Sequence, residues 1–388
     1  MKVLFISVLY PHRYDSMSGL FVQKHADAVS LFAEVKVLFV YPDAKIKKTE
    51  IVNGKYNQVD ELIVYFPKKE SGFFRQLFNS TEYIKAYIAG FKRLKQLEFR
   101  PDIVHANVLT RTALIAYIYK LIYGTPYVIT EHWSRLLKVR SNFNGLIRKL
   151  TAKIVVRNSA YILPVSNELL EGIEFHNLLQ TKYKVVENVV DNCFFETYQC
   201  GKRDKIRLLN VSCFTEESKN LSGLLRAVKE ISLQRNDFEL VLVGEGEDLQ
   251  LIREYAESLH FNDDIIKFAG LKTSEEVARL MQDSDCVVQF SNYESAGVVI
   301  QEALVSGIPV ISSKVGIASD YIDANNGILV DPGNELQLRN AISQFLDNTG
   351  IYNHQLIREK AGECFSYSVI AKKFKDVYND VLLNGQVS

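Results

Sequence analysis

From Gln289 to Pro332 the chain reads QFSNYESAGVVIQEALVSGIPVISSKVGIASDYIDANNGILVDP. The apolar run Cys286–Phe290 leading into it predicts a buried strand. Ser295-Ala296-Gly297 predicts a short turn, and Val298–Ser306 a helix closed by Gly307 and Pro309. A strand, a glycine turn and a helix start aim backbone N–H groups and the positive end of a helix at an anion. Glu294 and Glu302 stand eight positions apart around that turn. A carboxylate on each side of a bound anion can grip hydroxyls on both sides of it. A nucleotide-sugar has that layout: sugar hydroxyls, diphosphate, ribose hydroxyls. Glycine turns of this kind occur in every doubly wound domain, and exposed glutamates are ordinary, so spacing alone leaves a purely structural reading open.

Outward from this segment, β-rich runs alternate with helical stretches along the whole chain, the pattern of parallel sheets in an α/β protein. In the first half, strands are predicted at Val3–Leu9, Val35–Val40, Leu62–Phe66, Ile103–His105, Tyr127–Thr130 and Tyr161–Pro164. In the second half they fall at Leu208–Ser212, Leu240–Val243, Ile265–Phe268, Cys286–Phe290, Val310–Ser312 and Ile328–Val330. Each half has the makings of a complete doubly wound domain. The join is expected within NCFFETYQCGKRDKI, where polar and glycine residues break the pattern. Ser368–Leu383 predicts an amphipathic helix carrying Ala371, Phe374, Val377, Tyr378 and Val381.

A length of 388 residues suits two domains. No apolar run reaches the 18 or so residues that span a bilayer. The VLFISVLY start is apolar but short, ends at Pro11-His12-Arg13 and has no small-residue cleavage site, so a first strand is expected rather than a signal peptide. The five cysteines (193, 200, 213, 286 and 364) are odd in number and form no CxxC pair, which points away from disulfides or zinc and towards a reducing cytoplasm. Formal net charge is zero, yet residues 1–160 hold 25 Lys+Arg against 12 Asp+Glu and the remainder 21 against 34. A basic half beside an acidic one suits an anionic membrane surface, or two lobes that attract one another. No nucleic-acid recognition motif accompanies the basic residues, so nucleic acid is not an expected partner.

The opening segment resembles the signature of retaining glycosyltransferase family 4: two glutamates with seven residues between them, then EAL, a small residue, G, P and V. Here these are Glu294, Glu302-Ala303-Leu304, Gly307-Ile308-Pro309-Val310 and, later, Asn326-Gly327-Ile328-Leu329-Val330. The resemblance implies a GT-B fold, two Rossmann-like doubly wound domains facing a central cleft. The expected domains are 1–195 on the acceptor side and 196–367 for the nucleotide-sugar, with helix 368–388 crossing back to complete the first. The family places bacterial surface-polysaccharide enzymes in this class.

Further residues carry the resemblance. Val211-Ser212-Cys213-Phe214 followed by Lys219-Asn220 is similar to a family loop whose arginine and lysine meet the donor diphosphate. Lys219 matches the lysine; Cys213 stands in place of the arginine and Ser212 in place of a glycine, and a cysteine supplies no positive charge. Gly244-Glu245-Gly246 resembles the family's VGxG turn near the nucleotide, and Gly270 the strand end beside the base. Ser18-Gly19-Leu20-Phe21 resembles the glycine loop of the first domain, where Gly19 lets backbone approach a diphosphate or acceptor. His132 matches a histidine that contacts the donor sugar. His105 and His132 both follow predicted strands and are expected at the cleft, with a structural role equally open for His105.

The activity implied is hexose transfer from a UDP- or GDP-linked sugar to a glycan or lipid-linked acceptor with retained configuration. Lys219 and the N–H groups of Ala296, Gly297 and Val298 would meet the leaving diphosphate, Glu294 the sugar and Glu302 the ribose. No cofactor or metal is expected, since no Asp-x-Asp element follows a strand. A pair of glycosidase-type carboxylates is a poorer reading. A sugar-nucleotide epimerase and a non-catalytic partner or regulator remain as alternatives.

Overall fold

Val3, Leu4, Phe5 and Ile6 are all fully buried, as befits a parallel strand covered by helices on both faces. They lie on β1 (Lys2–Ser7), in the middle of the first of two sheets. The computed structural model describes every residue except 110, 141, 180, 199, 200, 202, 263 and 386–388. Cys200 therefore lies outside the described residues.

After β1 the chain forms α1 (Leu20–Ser30), β2 (Glu34–Asp43), β3 (Glu50–Tyr56), β4 (Val59–Pro67), α2 (Arg75–Gln96) and β5 (Ile103–Asn107). It continues through α3 (Arg111–Tyr123), β6 (Tyr127–Glu131), α4 (Leu146–Asn158), β7 (Tyr161–Pro164), α5 (Asn167–Phe175) and β8 (Lys182–Tyr183). The eight strands lie in the order β3-β4-β2-β1-β5-β6-β7-β8. All neighbours are parallel except β3 and β4. All six strands expected in this half are present, and β3 and β8 are additional. β3 is an exposed edge strand, EIVNGKY, with no apolar alternation to announce it.

The second unit runs β9 (Ile206–Val211), α6 (Glu216–Lys219), α7 (Leu221–Ser232), β10 (Phe238–Val243), α8 (Leu249–Ser258) and β11 (Ile266–Gly270). It then adds α9 (Ser274–Gln282), β12 (Cys286–Gln289), α10 (Val298–Val305), β13 (Val310–Ser313), α11 (Ala318–Tyr321) and β14 (Gly327–Val330). Three helices come last: α12 (Glu335–Asp347), α13 (His354–Phe365) and α14 (Tyr367–Gly385). The sheet is wholly parallel, in the order β11-β10-β9-β12-β13-β14.

The first unit comprises Met1–Val165, Leu169–Val189 and the stretch from Ser368; the second holds Ser166–Glu168 and Val190–Tyr367. The boundary precedes the one expected because Val190 and Phe194 are buried in the second hydrophobic core. In α14 the five residues picked from the amphipathic pattern are buried, with Phe374 and Tyr378 at zero exposure. No helix among the described residues is long and apolar enough to cross a membrane.

Candidate functional site

In the second unit, the loops that follow β9, β10, β11 and β12 all leave the carboxyl edge of a parallel sheet, where open α/β sheets bind ligands. Buried polar groups tie β9 to β12: Asn210 Nδ2 donates to the Val288 carbonyl at 2.8 Å and Gln289 Nε2 to that of Val211 at 3.0 Å. Beyond them the loops interlock. The Gly244 N–H donates to the Gly270 carbonyl and the Phe214 N–H to that of Glu245. A Cβ on Gly244 would stand 1.9 Å from the Ser212 carbonyl oxygen, and one on Gly246 2.4 Å from that of Phe214. Both glycines are there because one loop lies directly on another. Gly270, at φ +70°, ends β11 with open space where a Cβ would point.

The cation and the carboxylate of the motif meet here. α6 is a single turn, and its end is bound to the loop after β12: the Asn292 N–H donates to the Ser218 carbonyl and its Nδ2 to that of Glu217. That clasp sets the Lys219 ammonium in an ion pair with Glu294 Oε1, which also accepts from Ser291 Oγ at 2.9 Å. Both side chains are mostly shielded, at 15% and 18% exposure. Burial alone would pull the Lys219 pKa down; the Glu294 carboxylate and the nearby Cys213 outweigh it, so the ammonium is raised and stays charged at neutral pH. The Cys213 thiol is free and exposed beside it.

Gly297, at φ +89° and ψ 55°, is the N-cap of α10 and turns the chain in the left-handed region. Ala296 and Val298 flank it; the Ile300 N–H turns back to the Gly297 carbonyl at 2.9 Å, while the N–H groups of Val298 and Val299 have no acceptor within the helix. Ile300, Gln301, Ala303, Leu304 and Val305 are buried; Val298, Val299 and Glu302 share the half-exposed face. Helical spacing thus sets the Glu302 side chain one turn from the helix start, on the same side. Gly316 supports the turn from behind, and sequence reasoning did not single it out. It has φ +60°, a Cβ there would meet the Ala296 oxygen at 2.3 Å, and the next N–H, of Ile317, donates to that oxygen. A lone glycine after a strand was the available signal.

The first unit carries its own cluster at the carboxyl ends of β5 and β6. His132 follows β6; its ring lies 4.5 Å from that of Phe21 on α1, and its Nε2 faces Asn107 Oδ1 at 3.3 Å. Gly19, the N-cap of α1 at φ +65°, brings the helix against the Leu9 and Tyr10 backbone, where a Cβ would clash at 2.4 Å. Burial, with His25 and His105 adding, drives the His132 pKa well below its usual value, so the ring is neutral. His105 sits elsewhere than expected. It lies within β5 rather than after it, fully buried, with Nδ1 on the Tyr378 hydroxyl and Nε2 on Thr130 Oγ1, both at 2.6 Å. With both ring nitrogens occupied under α14, it is a core residue, the structural one of its two expected roles.

Three neighbours of His132 were not legible in advance. The buried Glu131 carboxylate accepts the N–H groups of Leu109, His132 and Trp133 at 2.7–2.8 Å. Burial still lifts its pKa to about 7 against those three donors. The Asn107 amide nitrogen is buried without a hydrogen-bond partner. Val108 holds φ +75°, a strained conformation for a β-branched residue. It is kept there by its N–H on the Thr130 carbonyl and its own carbonyl on Thr112 Oγ1. Among the described residues no three His, Cys, Asp or Glu side chains cluster closely enough to hold a metal ion.

Residues 200–362 match the family model for group 1 glycosyl transferases. That match covers most of the second unit. The chain is 26% identical over 299 residues to N-acetyl-alpha-D-glucosaminyl L-malate synthase of Bacillus anthracis, covering 72% of this chain and 75% of that one. In three dimensions it resembles sucrose-phosphate synthase from Thermosynechococcus elongatus, with a TM-score of 0.78 at 17% identity over 99% of this chain and 100% of the other. It also resembles Anabaena HepE in complex with UDP-glucose, with a TM-score of 0.73 at 17% identity over 98% of this chain and 100% of that chain. The fold of this chain is accordingly GT-B, two α/β domains built on parallel sheets.

Proposed function

We propose that this glycosyltransferase moves a hexose from a UDP- or GDP-linked donor to a glycan or lipid-linked glycan, with retention and without a metal, in bacterial polysaccharide assembly. The observation that carries this reading is the Lys219–Glu294 pair beside the N-terminus of α10. As the donor enters, the Lys219 ammonium passes from Glu294 to the diphosphate, joined by the N–H groups of Ala296, Gly297 and Val298. Glu294, released, takes sugar hydroxyls and holds the anomeric carbon, while Glu302 takes the ribose hydroxyls. Charge placed against the leaving diphosphate lowers the barrier as the sugar becomes oxocarbenium-like. His132, neutral and fixed by Phe21 and Asn107, is the sugar-contacting group of the first unit. HepE, of the same fold, was solved with UDP-glucose, which supports a nucleotide-sugar donor here.

The test is turnover of UDP- and GDP-sugars by purified protein, with release of nucleoside diphosphate followed in the presence and absence of EDTA. Glu302→Ala raises the donor KM by about tenfold, whereas Glu294→Ala lowers kcat by about a hundredfold because positioning is lost. Full activity in both variants sinks the site assignment. Recovery of an altered nucleotide-sugar with no transfer product would favour the epimerase, and nucleotide binding with no turnover the non-catalytic partner.

A cytoplasmic protein acting on lipid-linked acceptors has to reach the inner face of the membrane, and the basic first unit suits that task. Within the basic stretch from Trp133 to Arg157, Leu136, Leu137 and Phe143 are buried and face no solvent. Exposed instead are Leu146, Ile147, Leu150 and Ile154 on α4, interspersed with Arg148, Lys149, Lys153 and Arg157. Such a helix suits the interface, with about 1 kcal/mol available per basic residue near an anionic surface. Sedimentation with phosphatidylglycerol vesicles at low ionic strength is the measurement, and binding should fade as salt shortens the Debye length. No binding at low salt would remove the membrane reading.

A further inference from the structure

Between α2 and α3 the first unit has a groove of about 880 Å³, within the range that holds a small ligand. Pro42, Phe66 and Arg111, at the ends of β2 and β4 and just beyond β5, set it at the carboxyl edge of the sheet. Its lining is divided by chemistry. Lys68, Lys69, Arg75 and Arg111 supply four cations against the single carboxylate of Glu70. None of the four is in a salt bridge among the described residues. Ile84, Leu114 and Ile118 supply an apolar wall, and each of the three is more than a third exposed.

The cationic end is built rather than incidental. Asn79 on α2 bonds the main chain of Lys69 from both sides, accepting its N–H at 2.9 Å and donating to its carbonyl at 3.0 Å. Arg75 Nη1 donates to the Glu70 carbonyl at 2.7 Å, and the Lys69 ammonium lies 4.3 Å from the Phe78 ring. These contacts hold the segment after β4 against α2 and keep its lysines at the groove. Arg111 opens α3, whose positive end adds to the attraction for an anion. Beside the groove, Phe73, Phe74 and Leu77 stand 97%, 70% and 67% exposed, an apolar lip of the kind that enters a bilayer surface.

We infer that this groove binds the phosphorylated end of a lipid, with the phosphate or diphosphate among Lys68, Lys69, Arg75 and Arg111. The first part of the apolar chain lies along Ile84, Leu114 and Ile118 before passing to the membrane over Phe73 and Phe74. Cations without carboxylate partners want an anion, and an exposed apolar wall next to them wants a hydrocarbon; one amphiphile meets both. The use of such a site rests on the proposed reading of the acceptor as lipid-linked.

Isothermal titration with farnesyl diphosphate, inorganic pyrophosphate and farnesol tests it below the micellar range. Farnesyl diphosphate should bind at least about tenfold more tightly than either fragment. Lys68→Glu with Arg111→Glu should abolish that binding, with Lys68→Gln and Arg111→Gln as the milder pair should the charge reversal disturb folding. Leu114→Gln with Ile118→Gln should bring farnesyl diphosphate down to the affinity of pyrophosphate. Equal binding of pyrophosphate and farnesyl diphosphate by the wild type would show a free-phosphate site and overturn the inference. Equal binding of farnesol would overturn it as well. Titration of the same samples with UDP and GDP reads the second unit separately. Nucleotide binding without lipid-phosphate binding defeats only the groove; the reverse defeats the donor reading and leaves the groove standing.

Discussion

Lys219→Ala is expected to lower kcat about a thousandfold, the upper end of what the loss of one charged or hydrogen-bonding group opposite a leaving oxyanion costs. The family signature that this chain resembles has an arginine where Cys213 stands, so on the proposed reading Lys219 alone meets the diphosphate from this loop. Charge on the leaving group grows towards the transition state, so kcat should fall further than donor affinity. The ammonium is held charged by Glu294 despite its burial, which removes deprotonation as an explanation for any pH effect near neutrality. Removing the lysine also leaves the shielded Glu294 carboxylate without its ion pair, which by itself destabilises the loop. Lys219→Ala combined with Glu294→Gln separates the two effects, because it relieves the stranded charge without restoring the cation. Cys213 is exposed, so Cys213→Arg has room for the longer side chain and should raise turnover, and should partly rescue Lys219→Ala. Normal turnover in Lys219→Ala would mean that another cation meets the diphosphate.

The second large effect is a loss of stability in mild acid, seated in the first unit. His25, His105 and His132 are buried, and burial lowers all three pKa values: His25 to about 4, the other two well below the ordinary 6.5. In the unfolded chain they titrate near 6.5, so below that pH the unfolded state takes up protons that the folded state refuses. Their contribution is present above pH 6.5 and is lost as pH falls. Glu131 works the other way. Its folded pKa of about 7 against an unfolded 4.5 means that the folded state holds the extra proton between those values. It therefore adds stability as pH falls through the same window. Three protons against one leave about two, a slope of roughly 2–3 kcal/mol per pH unit near pH 5.5. The chain has a single tryptophan, Trp133, directly after His132, so its fluorescence reports on this region during thermal unfolding. A melting temperature that holds level from pH 7 to pH 5 would contradict the buried neutral histidines. Should Glu131→Gln flatten the profile instead of steepening it, the sign assigned to Glu131 is wrong.

Apart from β3 and β8, the strands of both sheets were legible because a buried parallel strand is a short apolar run and turn residues mark its ends, properties of a few adjacent residues. The signature around Glu294 and Glu302 was legible for the same reason: strand, turn and helix start are local, and eight positions across a glycine turn fix where two side chains begin. The amphipathic period of α14 likewise named the residues it buries. β3 was invisible because an exposed edge strand carries no burial pattern, only pairing with β4.

Contacts between distant segments could not be read in this way. Lys219 meets Glu294 across 75 positions, through a clasp of Asn292 onto a one-turn helix that no periodicity encodes. His105 and His132 both belong to strands of one sheet, yet His105 is closed off by Tyr378, 273 positions away, while His132 sits past the strand end against α1. Leu137 and Leu146 look alike in a basic segment, but one is buried and the other 75% exposed. Local pattern determined the elements and the chemistry they carry. The crossovers of the two sheets, which bring remote loops to one edge and decide which face of each helix is covered, determined which of those groups meet and which remain in the core.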